Sequence, residues 1–142
     1  MHKASILPLT LAFVLLGCGT VPTPMSKVKQ VPQSRVRAAL PSASKSPARI
    51  TVIRDSGFQG IEHVFELWIN GILVAELRPR EAFAFDVDPG LVFLEIRMFN
   101  IIGTVAPVQV ETTVEPNKGY FYRAGIDGQV KLHLVRDLSL SQ

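Results

Sequence analysis

A chain of 142 residues, 47% of them hydrophobic, has room for one domain and carries a formal charge of +3. The charge is unevenly divided: residues 19–47 hold five Lys/Arg and no acid, giving +5, whereas residues 48–142 hold nine Lys/Arg against twelve acids, giving −3. Positive charge confined to a Pro/Ser-rich stretch argues against nucleic acid as a partner, and a single cysteine excludes an internal disulfide, so the folded part must rely on its own apolar core.

Met1-His2-Lys3 supplies a positive start, and Ala4 to Gly17 is an almost uninterrupted apolar run of fourteen residues. A helix of that length rises about 21 Å, short of the roughly 30 Å of a bilayer's hydrocarbon core. Residues 1–17 are therefore predicted as an export signal rather than a spanning anchor. The run stops at Leu15-Leu16-Gly17-Cys18, which resembles the lipobox of bacterial lipoproteins. The resemblance implies cleavage before Cys18, a diacylglyceryl group on its sulfur and a third acyl chain. One chain anchors only marginally, whereas several together hold a protein on the membrane. The residue after the cysteine is Gly19 rather than the Asp of inner-membrane members. This implies a lipid anchor in the cell outer membrane with the domain facing the periplasm, although sorting rules differ between bacterial groups and leave inner membrane and cell surface open. The plainer alternative is an ordinary cleaved signal with a stray cysteine.

Gly19 to Pro47 carries five prolines and five serines, no aromatic residue and no sustained period. It offers too little apolar surface to offset the entropy of ordering, so residues 18–47 are expected to be a lipidated Cys18 followed by a flexible tether. Such a coil spans roughly 30 Å, or about 90 Å as extended polyproline. Its basic residues Lys27, Lys29, Arg35, Arg37 and Lys45 either attract anionic lipid or cell-wall polymer or are merely solvated.

From Ala48 the pattern changes to short alternating runs. Ile50 to Ile53 reads as the first strand, followed by a loop over Gly57-Phe58-Gln59-Gly60. Val64–Ile69 and Ile72–Leu77 flank Asn70-Gly71, a strong signal for a two-residue hairpin, because both central residues of a type I′ turn need positive φ. Strands over Phe83–Val87, Leu91–Phe99, Val105–Val114, Tyr120–Ala124 and Val130–Leu134 follow, divided by Pro89-Gly90, Pro116-Asn117-Lys118-Gly119 and Asp127-Gly128. Seven to eight such strands predict an all-β fold over residues 48–142, a small antiparallel β-sandwich of the Ig/transthyretin-like kind, folding alone as a monomer.

Within that pattern, Leu67-Trp68-Ile69-Asn70-Gly71 with Val74-Ala75-Glu76-Leu77, Asp88-Pro89-Gly90 and the late Gly119-Tyr120-Phe121-Tyr122 resemble an uncharacterised lipoprotein sandwich family, DUF2846, and more loosely PEGA-type surface modules. Ala75 stands where those families usually have Gly. The shared residues are turn grammar rather than chemistry and imply a fold, not an activity.

No nucleophile elbow, phosphate loop or Ser/His/Asp set is present, and His63 and His133 lack ligands at metal spacing. The chain reads as no enzyme, with no cofactor and no metal. Asp86 and Asp88 share a strand face about 7 Å apart, a spacing that suits either Ca²⁺ and acid–base work or simple turn chemistry before Pro-Gly. On the face opposite Phe65, Leu67 and Ile69, the alternation places Trp68 beside Ile72 and Val74. These three are the candidate partner-binding residues, unless the loop Gly57–His63 folds over them. The expectation is a membrane-anchored binding or structural module docking on another envelope protein, as small sandwich lipoproteins of secretion machines do. The alternative is a periplasmic enzyme or small-ligand carrier.

Overall fold

The computed structural model describes residues 20–40, 44–57, 63–100 and 103–141. The predicted export signal 1–17, Cys18, Gly19 and the loop residues Phe58 and Ile61 lie outside them. The described chain is all-β, with two sheets packed face to face and no closed barrel. Its strands are β1 (Lys29–Gln30), β2 (Ala48–Arg54), β3 (Phe65–Ile69), β4 (Ile72–Leu77), β5 (Glu81–Val87), β6 (Gly90–Asn100), β7 (Gly103–Thr104), β8 (Val108–Val114), β9 (Gly119–Ile126) and β10 (Leu132–Arg136). Among the described residues no helix is long and apolar enough to cross a membrane.

One sheet has the order β1-β5-β2-β9-β10; the other runs β4-β3-β6, with β7 and β8 both paired to β6. Because β3 occupies one edge of β6, β7 and β8 share the other. They are interrupted at Val105-Ala106-Pro107, where proline has no N–H for the ladder. The single strand expected over Val105–Val114 thus begins only at Val108. Period-two alternation decides what is buried: Ile50, Val52, Phe85, Tyr120 and Tyr122 from the first sheet meet Phe65, Leu67, Ile69, Leu94 and Ile96 from the second. Full burial of each aliphatic or Phe side chain contributes about 1.5–3 kcal/mol. Pairing is antiparallel except for β1 with β5 and β2 with β9. β2 enters the middle of its sheet, and β9 reaches its side only after the chain has crossed to the second sheet and back twice.

Asn70 and Gly71 adopt φ of 49° and 79°, the left-handed pair a type I′ hairpin requires, and they join β3 to β4 as expected. The register beyond the turn departs from simple alternation. Leu67 faces Ala75 and Trp68 faces Leu73, so Val74 is the extra residue of a β-bulge. The hairpin, the corner Asp88–Gly90 and the turn Pro116-Asn117 mark the upper end of the sandwich. The crossing Arg78–Arg80, the β9–β10 turn and the close of β2 mark the lower end.

Residues 20–40 are part of this fold, where the sequence implies a free coil. The Thr20 hydroxyl accepts from Ile126 N (2.9 Å) and donates to Ile126 O, and Val21 bridges Ser56. The chain then crosses the lower end, and β1 adds to the open edge of β5 through Lys29 N to Arg80 O (2.9 Å) and Val31 N to Ala82 O (3.0 Å). Farther on, Val36 bridges Ala75 and Arg37 N donates to Val74 O (2.8 Å), covering the edge of β4. Val31 is buried in the core, and Val36 and Leu40 pack against it. The arm therefore hides two sheet edges whose N–H and C=O groups would otherwise invite another chain.

Candidate functional site

The hairpin register rearranges the predicted docking face. Val74 is fully buried, so it is not part of an exposed patch, and Ile72, 45% exposed, pairs with Ile69 at the hairpin end rather than standing beside Trp68. The two-residue turn sets Ile69 against Ile72 and Trp68 against Leu73, and the inserted Val74 displaces the pairs on the turn-distal side by one, which brings Ala75 and Leu77 inward. Leu73 takes the place expected of Ile72 and Val74, directly across from Trp68.

Trp68 itself stays on the outward face of the β4-β3-β6-β8 sheet, half-buried among polar neighbours. Its Nε1 donates to Glu66 Oε2 (3.0 Å), and the Arg97 guanidinium lies 4.0 Å from its ring, a cation–π contact. Arg97 in turn donates to Glu95 Oε1 (2.6 Å), and this hydrogen bond holds its pKa above the ordinary value. Strand pairing sets these positions, with Glu66 opposite Arg97 and Trp68 opposite Glu95. Farther up the same face, an open depression of about 570 Å³ is lined by Asn70, Gly71, Leu91, Phe93, Glu95 and Gln109, and Leu91 is 54% exposed. Glu111 pairs with Phe93 and adds a further acid. The face is thus a shallow aromatic and aliphatic surface bearing Glu66, Glu95, Glu111 and the cation Arg97.

Two arginines outside the sequence-predicted site residues organise the lower end. Arg54 continues the inward parity of Ala48, Ile50 and Val52 and is 2% exposed. It reaches from the first sheet to the second, donating to Leu77 O (2.7 Å) and to the carbonyl of His63, with its guanidinium 3.7 Å from the Phe65 ring. Burial pushes its pKa down to about 10, opposed by the nearby Glu81 charge. Arg123 ties three segments together: it donates to Asp55 Oδ1 (2.7 Å), Asp137 Oδ2 (2.6 Å) and Thr23 O (3.2 Å), while Thr23 N donates to Asp55 Oδ1 (2.8 Å). The signal available for Arg54 was its place in the alternation; for Arg123 there was none, because its partners come from distant segments.

The other candidates are kept apart. Asp86 pairs with Arg49 (3.1 Å) and Asp88 accepts from Ser44 N (2.8 Å), both at the upper end. His63 lies at the lower end, and the His133 ring lies over Gly125 beside Thr20, half-buried rather than freely solvated. Among the described residues no group of three His, Cys, Asp or Glu side chains converges to hold a metal ion. Of the tether's five basic residues, Arg35 pairs with Glu81 and Arg37 with Glu76, leaving Lys27, Lys29 and Lys45 exposed. Comparison with family models, with curated proteins and with solved structures returns no match to this chain.

Proposed function

We propose that this protein is a lipid-anchored module of the bacterial envelope, attached through Cys18 to the outer membrane, whose sandwich docks on another envelope protein rather than acting as an enzyme. The lipobox-like Leu15-Leu16-Gly17-Cys18 supports the anchor and its address. The docking role rests on one observation: Trp68 is held on the outward face of a sheet whose inward face is already filled, with Leu73 opposite it and Leu91 and Phe93 nearby. A large amphipathic ring fixed by Glu66 and Arg97 loses little entropy on binding, which suits a binding anchor. With Glu66 engaged by Trp68 and Glu95 by Arg97, the exposed Glu111 at the edge of the face suits a partner whose apolar contact surface has a basic group beside it.

The test separates binding from packing. A photo-crosslinking residue at Leu73 should capture a discrete envelope protein, whereas one at Phe121, on the outer face of the opposite sheet, should not. Trp68→Ala should abolish the crosslink while lowering stability by only about 1 kcal/mol, the scale of an exposed cation–π contact. A loss of about 3–5 kcal/mol, as for a core aromatic, would make Trp68 a packing residue and remove the binding face.

A further inference from the structure

The arm's route fixes how the domain must stand on its membrane. Thr20 is clamped by both backbone groups of Ile126, and its methyl group lies 2.7 Å from where a Cβ on Gly125 would fall. Cys18 precedes Thr20 by two residues, a span of roughly 7 Å at most. An acyl anchor on Cys18 is therefore confined close to the lower end of the sandwich, whatever path Gly19 takes.

That end has the chemistry of a lipid-facing surface. Val21 (61% exposed), Met25 (45%) and Val130 (47%) are three of the seven large apolar side chains left exposed among the described residues. Val130 holds φ of +61°, an unfavourable backbone for a β-branched residue that keeps it at the tip of the β9–β10 turn. Around them Lys27, Lys29, Arg78, Arg80 and Lys131 are exposed. Among the described residues the nearby carboxylates are engaged: Asp55 by Arg123, Glu81 by Arg35, and Asp127 by the amides of Gln129 and Lys131. The upper end is balanced instead: Asp86 pairs with Arg49 and Glu115 with Lys118, and Asp88 accepts from Ser44 N beside the exposed Lys45.

We infer that the lower end, carrying Val21, Met25, Val130 and the five exposed basic residues, seats directly on anionic lipid headgroups of the membrane that holds Cys18. The sandwich stands end-on at the bilayer instead of floating on a leash. This orientation rests on lipidation of Cys18, and it turns the Trp68 face sideways along the membrane surface.

Because acylation blocks the protein's one cysteine, an introduced cysteine is the sole free thiol. Full-length lipidated Gln129→Cys and Lys118→Cys variants, labelled with an environment-sensitive fluorophore, would be reconstituted into phosphatidylethanolamine vesicles containing phosphatidylglycerol and a headgroup-level nitroxide quencher. The mass of the mature N-terminus would be measured on the same preparations. Acylated Cys18 with quenching at 129 and none at 118 is expected. Quenching at 129 should weaken in vesicles without phosphatidylglycerol, since screening and loss of anionic lipid both remove the attraction. It should also be lost in Thr20→Val, which keeps the shape of the side chain but not its hydrogen bonds. Acylated protein quenched equally at both positions, or at neither, overturns the seating and leaves the anchored module intact. Persistence of the 129 signal in Thr20→Val overturns the role of the clamp. An unacylated Cys18 overturns both the seating and the anchor on which it depends.

Discussion

Gly71 isolates a backbone effect cleanly. Its φ is 79°, yet a Cβ built there would meet nothing within 4 Å. Any cost of substitution is therefore conformational, not steric crowding by neighbours. A left-handed backbone disfavours an ordinary L-residue by roughly 1–2 kcal/mol. Gly71→Ala is expected to lower stability by that amount and Gly71→Val by about 1–3 kcal/mol, the wider range reflecting β-branching. Urea denaturation of both variants checks this, with the slope unchanged and only the midpoint moved; an unchanged midpoint would contradict the type I′ turn. Gly125 is the opposite case. Its neighbours, the His133 ring and the Thr20 methyl group, both lie 2.7 Å from the built Cβ, so glycine there serves the docking of the arm.

At the scale of elements, the strands were legible and the arm was not, for the same physical reason. A half-buried strand writes its environment into alternation, and Phe65, Leu67 and Ile69 or Leu94, Ile96 and Met98 announce themselves. The bulge at Val74 left no such mark, since no glycine or proline signals it and apolar residues occupy both parities of β4. The neighbour of Trp68 was legible in the turn instead: two residues at Asn70-Gly71 close Ile69 on Ile72 and hence Trp68 on Leu73, whereas alternation counted back from Leu77 and Ala75 points Leu73 inward. An arm that pairs with sheet edges needs only extended backbone and an occasional apolar contact, and Val31, Val36 and Leu40 are too sparse to form a period. Its ordering comes from partners far away in sequence, Glu81 and Glu76 for the arginines and Asp55 for Thr23. A consequence follows for residues 48–142 taken alone. Compared with residues 20–142, they lose the burial of Val31, about 1.5–3 kcal/mol, and expose the edges of β5 and β4. The shorter polypeptide is expected to melt lower and to self-associate with rising concentration. Equal melting midpoints and monomeric sedimentation for both would mean the arm contributes nothing to the fold.

For the whole molecule, the attachment of the arm depends on pH, because carboxylates of the sandwich hold its guanidinium groups. Burial alone would raise the Glu81 carboxyl. The hydrogen bonds from Arg35 and the Arg78 amide, with their positive charges, outweigh burial and hold it below the ordinary glutamate range. The hydrogen bond from Arg37 holds Glu76 low in the same way. Both folded-state values are depressed, so their contribution to stability is complete above the unfolded value of about 4.3 and is lost as pH falls through the lower folded values. Protonation also leaves the half-buried Arg35 without its counter-charge. The core strands owe their burial to apolar contacts that do not titrate, so acid should open the arm before it melts the sandwich. Hydrogen exchange, corrected for its intrinsic pH dependence, is expected to show the amides of Lys29, Val31 and Arg37 losing protection below about pH 4, while those of β3 and β6 keep theirs. Glu81→Gln should lower protection of the same three amides already at neutral pH and flatten the acid response. Simultaneous loss across arm and core would instead mean that the arm is as firmly held as the sheets it covers.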